Sequence, residues 1–249
     1  MSWSQAGTPL PPRRHRAQRR RQRAHAKTSG LSLFQAALYL CTGSTLRHAQ
    51  PPVRAKDEFG ASMEEAVRGW DLSEPENDII SSFWLPGDSL APPCQSDMEV
   101  VGEILKFANP GPSSVLFDLG CGDGRICILA SKLFGCKSVG CEIEDVLVEK
   151  FRQNVARTKT DELVTIVQGD LRSLDLAAAT IIVIYLLPES ICEIEPVLVE
   201  ALQRGCVIVC NSWGLKSVEP VAVLDVGPYK NVKLLKYDGV GAAAGGLEK

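Results

Sequence analysis

The segment 114–125 (SVLFDLGCGDGR) constrains the fold of this chain more than any other. An apolar run leads into Asp118, glycines then occupy every second position, and an apolar pattern with helical spacing follows. This order predicts a strand, a tight glycine turn and the N-terminus of a helix. A turn of this kind brings backbone N–H groups and the positive end of a helix close to a ligand.

Strand and helix patterns alternate regularly after this turn. The predicted strands are 115–119, 138–143, 164–168, 180–185, 206–211, 221–226 and 231–237, and the predicted helices are 125–134, 145–158 and 189–204. Continuous apolar strands between helices are typical of a parallel sheet covered on both faces. A short turn joins the last two strands and indicates a hairpin. The predicted fold class is therefore α/β, a Rossmann-like, mostly parallel sheet of seven strands with helices on both faces and an antiparallel C-terminal hairpin.

Two further helices are predicted before the first strand. Residues 62–70 have apolar side chains at helical spacing, and Asp97 is placed to cap a helix that continues to Ala108. Pro196 is expected to kink the helix 189–204 or to start a second segment. After Ser212 the helix is expected to be missing or very short.

Charge divides the chain unevenly. Residues 1–56 hold 11 of the 27 Lys and Arg residues and no Asp or Glu, whereas residues 57–249 carry the other 16 and all 30 acidic residues, a net charge of −14. We therefore expect a basic extension at 1–56 that is disordered or serves in targeting, a lead-in at 57–93, the main domain at 94–238 and a flexible tail at 239–249.

The arginine-rich part of the extension has three interpretations. It is an organelle-targeting segment, a nucleic-acid-binding arm or nuclear signal, or a solvated tail. Residues 31–41 are apolar but too short to cross a membrane, which takes about 20 residues. No transmembrane span is predicted.

Histidine and cysteine usage narrows the chemistry. The three histidines, His15, His25 and His48, all lie in the basic extension, so histidine-based catalysis and histidine-ligated zinc are not expected in the main domain. The nine cysteines include no C-x-x-C pair, and no metal site is predicted. Several, including Cys141, Cys206 and Cys210, sit in apolar strand patterns, which is typical of buried free thiols in a reducing compartment.

The acidic residue before the glycines, Asp118, indicates which kind of ligand the turn binds. The spacing at Gly120, Gly122 and Gly124 departs from the dinucleotide pattern G-x-G-x-x-G, and Asp118 would repel a pyrophosphate over the turn. A cationic ligand without phosphate suits this position, and S-adenosylmethionine, with its ammonium and sulfonium groups, is such a ligand.

Two more acids follow the next predicted strands. Glu142 lies about 20 residues after the turn, where a carboxylate can accept both ribose hydroxyls of a nucleoside. Asp170 follows the third strand and is placed to accept from an adenine amino group. The carboxyl ends of successive parallel strands meet at one edge of a sheet, so the three acids are expected to form one site.

These motifs resemble a known superfamily. The segment 118–125 (DLGCGDGR) resembles the first motif of the seven-strand S-adenosylmethionine-dependent methyltransferases, and Glu142 and Asp170 match that superfamily's second and third acidic positions. The resemblance covers residues 94–238. It implies that S-adenosylmethionine is the cofactor and that a set of residues around the turn and the strand ends binds it: Asp118, Gly120, Cys121, Gly122, Gly124, Glu142, Asp170 and Leu171.

The segments 185–188 (YLLP) and 211–214 (NSWG) are similar to a narrower family. It comprises the mitochondrial protein-lysine methyltransferases that act on ATP synthase c subunit and adenine nucleotide translocase. The Pro-rich stretch 90–93 resembles the segment through which that family's chain enters the first helix, but the family's usual aromatic-Val-Pro-Thr/Ser motif is missing there. The Asn/Asp-Pro-Pro-Tyr/Phe motif of many amino-group methyltransferases is also missing.

The resemblance implies a protein-lysine N-methyltransferase whose catalytic positions are Tyr185, Leu186 and Pro188. Tyr185 and the backbone carbonyls at 185–187 are expected to orient the lysine amine. Trp84 and Trp213 are candidates to line the acceptor channel, with core packing as the alternative. A protein partner is expected, with a mitochondrial membrane protein as one candidate, and the acidic main domain disfavours nucleic acid. A mitochondrial location is expected, with the cytoplasm as the alternative. A small-molecule or RNA methyltransferase and a non-catalytic interaction module are the alternative functions.

Overall fold

The computed structural model of the chain describes residues 58–68 and 94–239. The predictions made for the basic extension, most of the lead-in (Trp84 and the stretch 90–93 included) and the C-terminal tail lie outside the described residues.

A single sheet of seven strands organises the described domain, in the order β3-β2-β1-β4-β5-β7-β6. The strands are β1 Val115–Leu119, β2 Lys137–Glu142, β3 Val164–Gln168, β4 Ile181–Ile184, β5 Val207–Asn211, β6 Ala222–Val226 and β7 Val232–Asp238. Strands β1 to β5 are parallel, and β7 runs antiparallel between β5 and β6. The chain order reverses at β1, between β2 and β4, and such a switch point opens a crevice at the carboxyl ends of the strands.

Helices cover both faces of the sheet. They are α1 Glu58–Ala66, α2 Met98–Ala108, α3 Arg125–Phe134, α4 Asp145–Thr158 and α5 Pro188–Gln203, with a 3₁₀ turn at Leu171–Ser173. One buried apolar cluster contains residues of α2, α3 and α4, and a second contains residues of α5. The predicted fold class is confirmed. Among the described helices, none combines the length and the apolar character needed to cross a membrane.

Most element boundaries lie within one or two residues of the predictions, and the exceptions have local causes. Helix α1 covers 58–66 instead of 62–70. Asp97 occupies the cap position of α2, but its side chain makes no capping hydrogen bond. Helix α5 continues through Pro196 as one element, because Ile194 and Leu198 on either side of the proline are buried in the same core. No helix lies between Ser212 and β6, so the first of the two expectations for this segment is confirmed.

The cysteines in the strand patterns are buried, as predicted. Cys141, Cys206 and Cys210 carry free thiols inside the core. Burial raises the pKa of the Cys206 thiol to about 11 and that of Cys210 to about 12. Since the thiolate is the reactive form, these cysteines serve packing.

Candidate active site

The glycine turn joins β1 to α3 and is fixed by backbone contacts. The N–H groups of Gly120 and Cys121 both donate to the carbonyl of Cys141 on β2, at 3.0 Å. Gly124 caps α3 with φ +79°, and a Cβ at this position would lie 1.9 Å from the ring of Phe151. Only glycine allows this backbone conformation without strain and lets α4 pack this closely against the turn.

Asp118 lies at the carboxyl end of β1, beneath the turn. Its side chain is 4% exposed, and its Oδ2 atom is buried without a hydrogen-bond partner. Burial is the main reason that the pKa of this carboxyl rises from 3.8 to about 8, and the nearby carboxylates of Glu142 and Asp123 contribute the rest of that rise. A buried acceptor of this kind is stabilised by a cation or a strong hydrogen-bond donor.

Glu142 ties the end of β2 to the glycine turn. Its Oε2 atom accepts from the N–H of Gly122 at 2.9 Å, and its Oε1 atom accepts from the N–H groups of Ile143 at 2.8 Å and Glu144 at 3.1 Å. A carboxylate has about four acceptor positions. One remains for a ribose hydroxyl, and a second hydroxyl would have to share Oε1 or replace the Gly122 contact.

Asp170 follows β3 and forms an ion pair with Arg172. The Arg172 guanidinium donates to Oδ2 at 2.6 Å and 2.9 Å and to Oδ1 at 3.0 Å, and the Arg172 backbone N–H also donates to Oδ1. Hydrogen bonds from Arg172 hold the pKa of the Asp170 carboxyl below its usual value. Asp170 therefore remains an acceptor at the mouth of the site.

Tyr185 and Leu186 follow β4. The Tyr185 hydroxyl lies 3.6 Å from Cys94 Sγ, and its ring stacks on Trp213 with centroids 6.2 Å apart and an interplanar angle of 20°. Burial raises the pKa of the Tyr185 phenol, so its proton stays in place near neutral pH. Leu186 is 3% exposed. Trp213 belongs to the core packing beside Tyr185.

One cavity brings most of the predicted site residues together. The predicted residues that line it are Asp118, Gly120, Cys121, Gly122, Glu142, Asp170, Leu171, Tyr185 and Leu186. Two predicted site residues do not reach the cavity wall. Gly124 packs against Phe151, and Pro188 is the first residue of α5. Apolar side chains of Ile143 and Leu147 also face the cavity.

A buried ion pair behind the turn was missed by the sequence reasoning. Asp123 is 1% exposed and Arg125 is 7% exposed. The Arg125 guanidinium donates to both Asp123 carboxylate oxygens, to the Ser96 carbonyl at 2.6 Å and to Gln95 Oε1 at 2.6 Å. This arginine therefore joins the glycine turn to the segment before α2, and its position directly after Gly124 was the only signal in the sequence.

No group of three or more His, Cys, Asp or Glu side chains in the described residues is arranged to hold a metal ion.

Several known proteins with similar sequences are methyltransferases. The sequence profile of the ANTKMT methyltransferase domain matches residues 118–222. A protein-lysine N-methyltransferase of Saccharolobus islandicus is 31% identical over 129 residues, which is 51% of this chain and 80% of that protein. A ribosomal protein L11 methyltransferase of Clostridium botulinum is 31% identical over 136 residues, 55% of this chain, and the match spans only 43% of that protein's length.

A solved structure agrees with these matches. The RNA methyltransferase of Salinibacter ruber, in complex with S-adenosyl-L-homocysteine, is 31% identical and superimposes with a TM-score of 0.56 over 62% of this chain and 99% of that protein. Fold, turn and relatives together define a class I S-adenosylmethionine-dependent methyltransferase. Within that class, the chain belongs to the family of the ANTKMT methyltransferase domain.

The residues around the cavity fit S-adenosylmethionine. The unpartnered Oδ2 of Asp118 matches an ammonium group. Glu142 offers an acceptor for a ribose hydroxyl, and Asp170 offers one near the apolar side chains of Ile143 and Leu171, which suit a purine ring. A phosphate-bearing dinucleotide would meet three carboxylates, and the two arginines that line the cavity, Arg125 and Arg172, are already paired with Asp123 and Asp170.

Proposed function

We propose that this protein is a protein-lysine N-methyltransferase that uses S-adenosylmethionine. The similarity to the protein-lysine N-methyltransferase of Saccharolobus islandicus, which extends over 80% of that protein, carries the proposal. The acidic character of residues 57–249, with a net charge of −14 by the residue counts, supports a cationic acceptor. A lysine side chain is positively charged when it approaches the protein, so the acidic domain attracts it before it loses its proton for the reaction.

When bound, S-adenosylmethionine supplies an electrophilic methyl group on a sulfonium centre. The protein then has to hold a lysine amine in line with it, in the neutral form, although a free lysine has a pKa of about 10.4. Tyr185 keeps its phenolic proton, so it is suited to orient the amine rather than to remove its proton. Desolvation beside Leu186 and the Tyr185–Trp213 stack favours the neutral amine.

A second candidate is an RNA methyltransferase, because the Salinibacter ruber neighbour carries that name at 31% identity. The acidic main domain opposes it, since phosphate binding calls for a basic surface. The basic residues 1–56 are the part of the chain that would have to supply that surface.

Labelled methyl groups separate the two candidates. The full chain is incubated with methyl-labelled S-adenosylmethionine and fractionated cell extract, then each sample is divided and treated with protease or with ribonuclease. We expect the label to disappear with protease only. Label that disappears with ribonuclease would replace the lysine proposal with the RNA one. An Asp118→Ala variant run in parallel identifies label that comes from other enzymes in the extract.

We also propose a mitochondrial location, supported by the Arg-rich, acid-free composition of residues 1–56. The N-terminus of the protein isolated from fractionated cells tests this. We expect it in mitochondria, with the basic extension shortened. Recovery of the full-length chain from the cytoplasm would contradict the proposal.

A further inference from the structure

The segment just before α2 is fixed against the glycine turn from two sides. The Ser96 carbonyl accepts from Arg125 Nη1 at 2.6 Å, and the Ser96 hydroxyl oxygen lies 3.2 Å from Asn211 Nδ2 at the end of β5. Gln95 lies between Cys94 and Ser96, and all three line the same cavity as Asp118 and Glu142. This segment therefore forms a preorganised wall of the candidate cofactor site.

The orientation of the Gln95 amide follows from its neighbour. Its Oε1 atom accepts from Arg125 Nη2 at 2.6 Å. A guanidinium only donates hydrogen bonds, so the amide oxygen has to face it and the NH₂ group has to point the other way. The Nε2 atom is buried and has no hydrogen-bond partner. A buried, unpaired donor is costly in the ligand-free protein and is relieved by an acceptor on a ligand.

The cavity thus holds two unsatisfied buried polar atoms of opposite kind. Asp118 Oδ2 lacks a donor, and Gln95 Nε2 lacks an acceptor. A ligand that satisfies both has to carry a hydrogen-bond donor for Asp118 and an acceptor for Gln95, and a cationic donor and an anionic acceptor form the stronger bonds. An α-amino acid group, with its ammonium and its carboxylate on one carbon, has this chemistry.

We infer that Gln95 recognises the α-carboxylate of the cofactor's methionine part through Nε2, while Asp118 receives the ammonium. Gln95 is then a cofactor-binding residue, held in its productive orientation by Arg125. This inference rests on the proposed use of S-adenosylmethionine but not on the nature of the methyl acceptor.

A matched pair of ligands isolates this contact. S-adenosylmethionine carries the carboxylate, and decarboxylated S-adenosylmethionine keeps the sulfonium, the amine and the nucleoside but lacks it. Titration calorimetry measures the dissociation constant of each ligand with the full-length wild-type protein and with two variants, Gln95→Met and Gln95→Glu. Gln95→Met removes both polar atoms of the amide, whereas Gln95→Glu keeps an oxygen for Arg125 and replaces the donor with an acceptor.

We expect Gln95→Met to weaken S-adenosylmethionine by about 10- to 100-fold, the range for a lost hydrogen bond to a charged group. The same variant should change the affinity for the decarboxylated ligand by less than about threefold. Gln95→Glu should weaken S-adenosylmethionine at least as much, because two carboxylates then face each other, and should spare the decarboxylated ligand.

Equal losses for the two ligands, or no loss for either, would overturn the assignment. Thermal unfolding of each variant without ligand shows whether an equal loss comes from a damaged fold. If Gln95→Met is damaged in this way, Gln95→Glu, which retains the Arg125 contact, decides whether Gln95 binds the carboxylate. A wild-type protein that binds neither ligand removes the cofactor proposal and this inference with it. A protein that binds both ligands as expected but methylates RNA leaves the inference standing and removes only the lysine proposal.

Discussion

Replacing Asp118 with asparagine should stabilise the ligand-free protein more at pH 8 than at pH 6. Burial and two neighbouring carboxylates raise the pKa of Asp118 from 3.8 to about 8 in the folded protein. At pH values between 3.8 and about 8, the Asp118 carboxyl of the folded protein keeps a proton that the same carboxyl of the unfolded chain has lost. The free energy of unfolding contributed by this group therefore falls as the pH rises through that window.

The magnitude follows from the size of the shift. One pKa unit corresponds to about 1.36 kcal/mol. Between pH 6 and pH 8 the carboxyl of the unfolded chain is already ionised, whereas that of the folded protein is mostly protonated. The free energy of unfolding of wild type therefore falls by about 2 kcal/mol over this range because of Asp118. An asparagine does not titrate. Its own hydrogen bonds contribute equally at both pH values and cancel from the comparison.

Urea denaturation of wild type and Asp118→Asn at pH 6, 7 and 8 measures this difference. The stability of the variant relative to wild type should improve by about 2 kcal/mol from pH 6 to pH 8. Asp161→Asn, at an exposed position, removes the same formal charge and serves as the control, with a much smaller change. A difference that stays constant with pH, or that moves in the opposite direction, would refute the assignment of a buried, protonated Asp118.

The same substitution should harm cofactor binding. A carboxylate paired with an ammonium forms a charge-assisted hydrogen bond, which an amide oxygen replaces only in part. We expect Asp118→Asn to weaken S-adenosylmethionine by about tenfold or more, measured by titration calorimetry at pH 8. A variant that is more stable and binds as tightly as wild type would show that Asp118 has a structural role only.

Three further substitutions test the packing and the acceptor side. Gly124→Ala should destabilise the protein by about 3 kcal/mol in urea denaturation, because the added Cβ would overlap the buried ring of Phe151. Gly111→Ala is the control: no atom lies within 4 Å of the added Cβ, and stability should change by less than about 0.5 kcal/mol. Equal effects of the two substitutions would contradict the close packing at Gly124. Tyr185→Phe should leave S-adenosylhomocysteine affinity within about twofold while kcat/KM for the protein acceptor falls about tenfold; a loss of cofactor affinity instead would place Tyr185 in the cofactor site. Arg125→Leu leaves the Asp123 carboxylate buried without its cation and should cost about 3 to 5 kcal/mol, whereas a loss below about 1 kcal/mol would contradict the buried ion pair.

The sequence predicted the fold because its signals are local and repeated. Each strand is a short apolar run, each helix has its own apolar period, and the order of the two types defines a parallel sheet with a closing hairpin. Helix boundaries were less predictable. Helix α1 differs from its prediction by four residues at each end, because a short amphipathic stretch fits several registers and tertiary packing selects one.

The candidate site was predictable where residues follow strand ends. Asp118, Glu142 and Asp170 were placed by topology alone, since parallel strands end at one edge. What each carboxylate contacts depends on three-dimensional neighbours and was not predictable from the sequence. Glu142 already accepts three backbone N–H groups, and Asp170 is paired with Arg172.

Gln95 and Arg125 show the limit of sequence reasoning more sharply. Their side chains meet at 2.6 Å although they are 30 residues apart in the chain. No periodicity connects two such positions. The unsatisfied Nε2 of Gln95 is a property of the folded arrangement and has no counterpart in the sequence.

The central claim is that this cavity directs a methyl group from S-adenosylmethionine to a lysine side chain of a protein. The most direct measurement is tandem mass spectrometry of the proteins labelled by the full-length chain with isotopically methyl-labelled S-adenosylmethionine, with Asp118→Ala in parallel. We predict that wild type, and not the variant, places the labelled methyl group on the side-chain nitrogen of lysine. Label on another residue type, label confined to RNA or small molecules, or equal labelling by the variant would contradict the account.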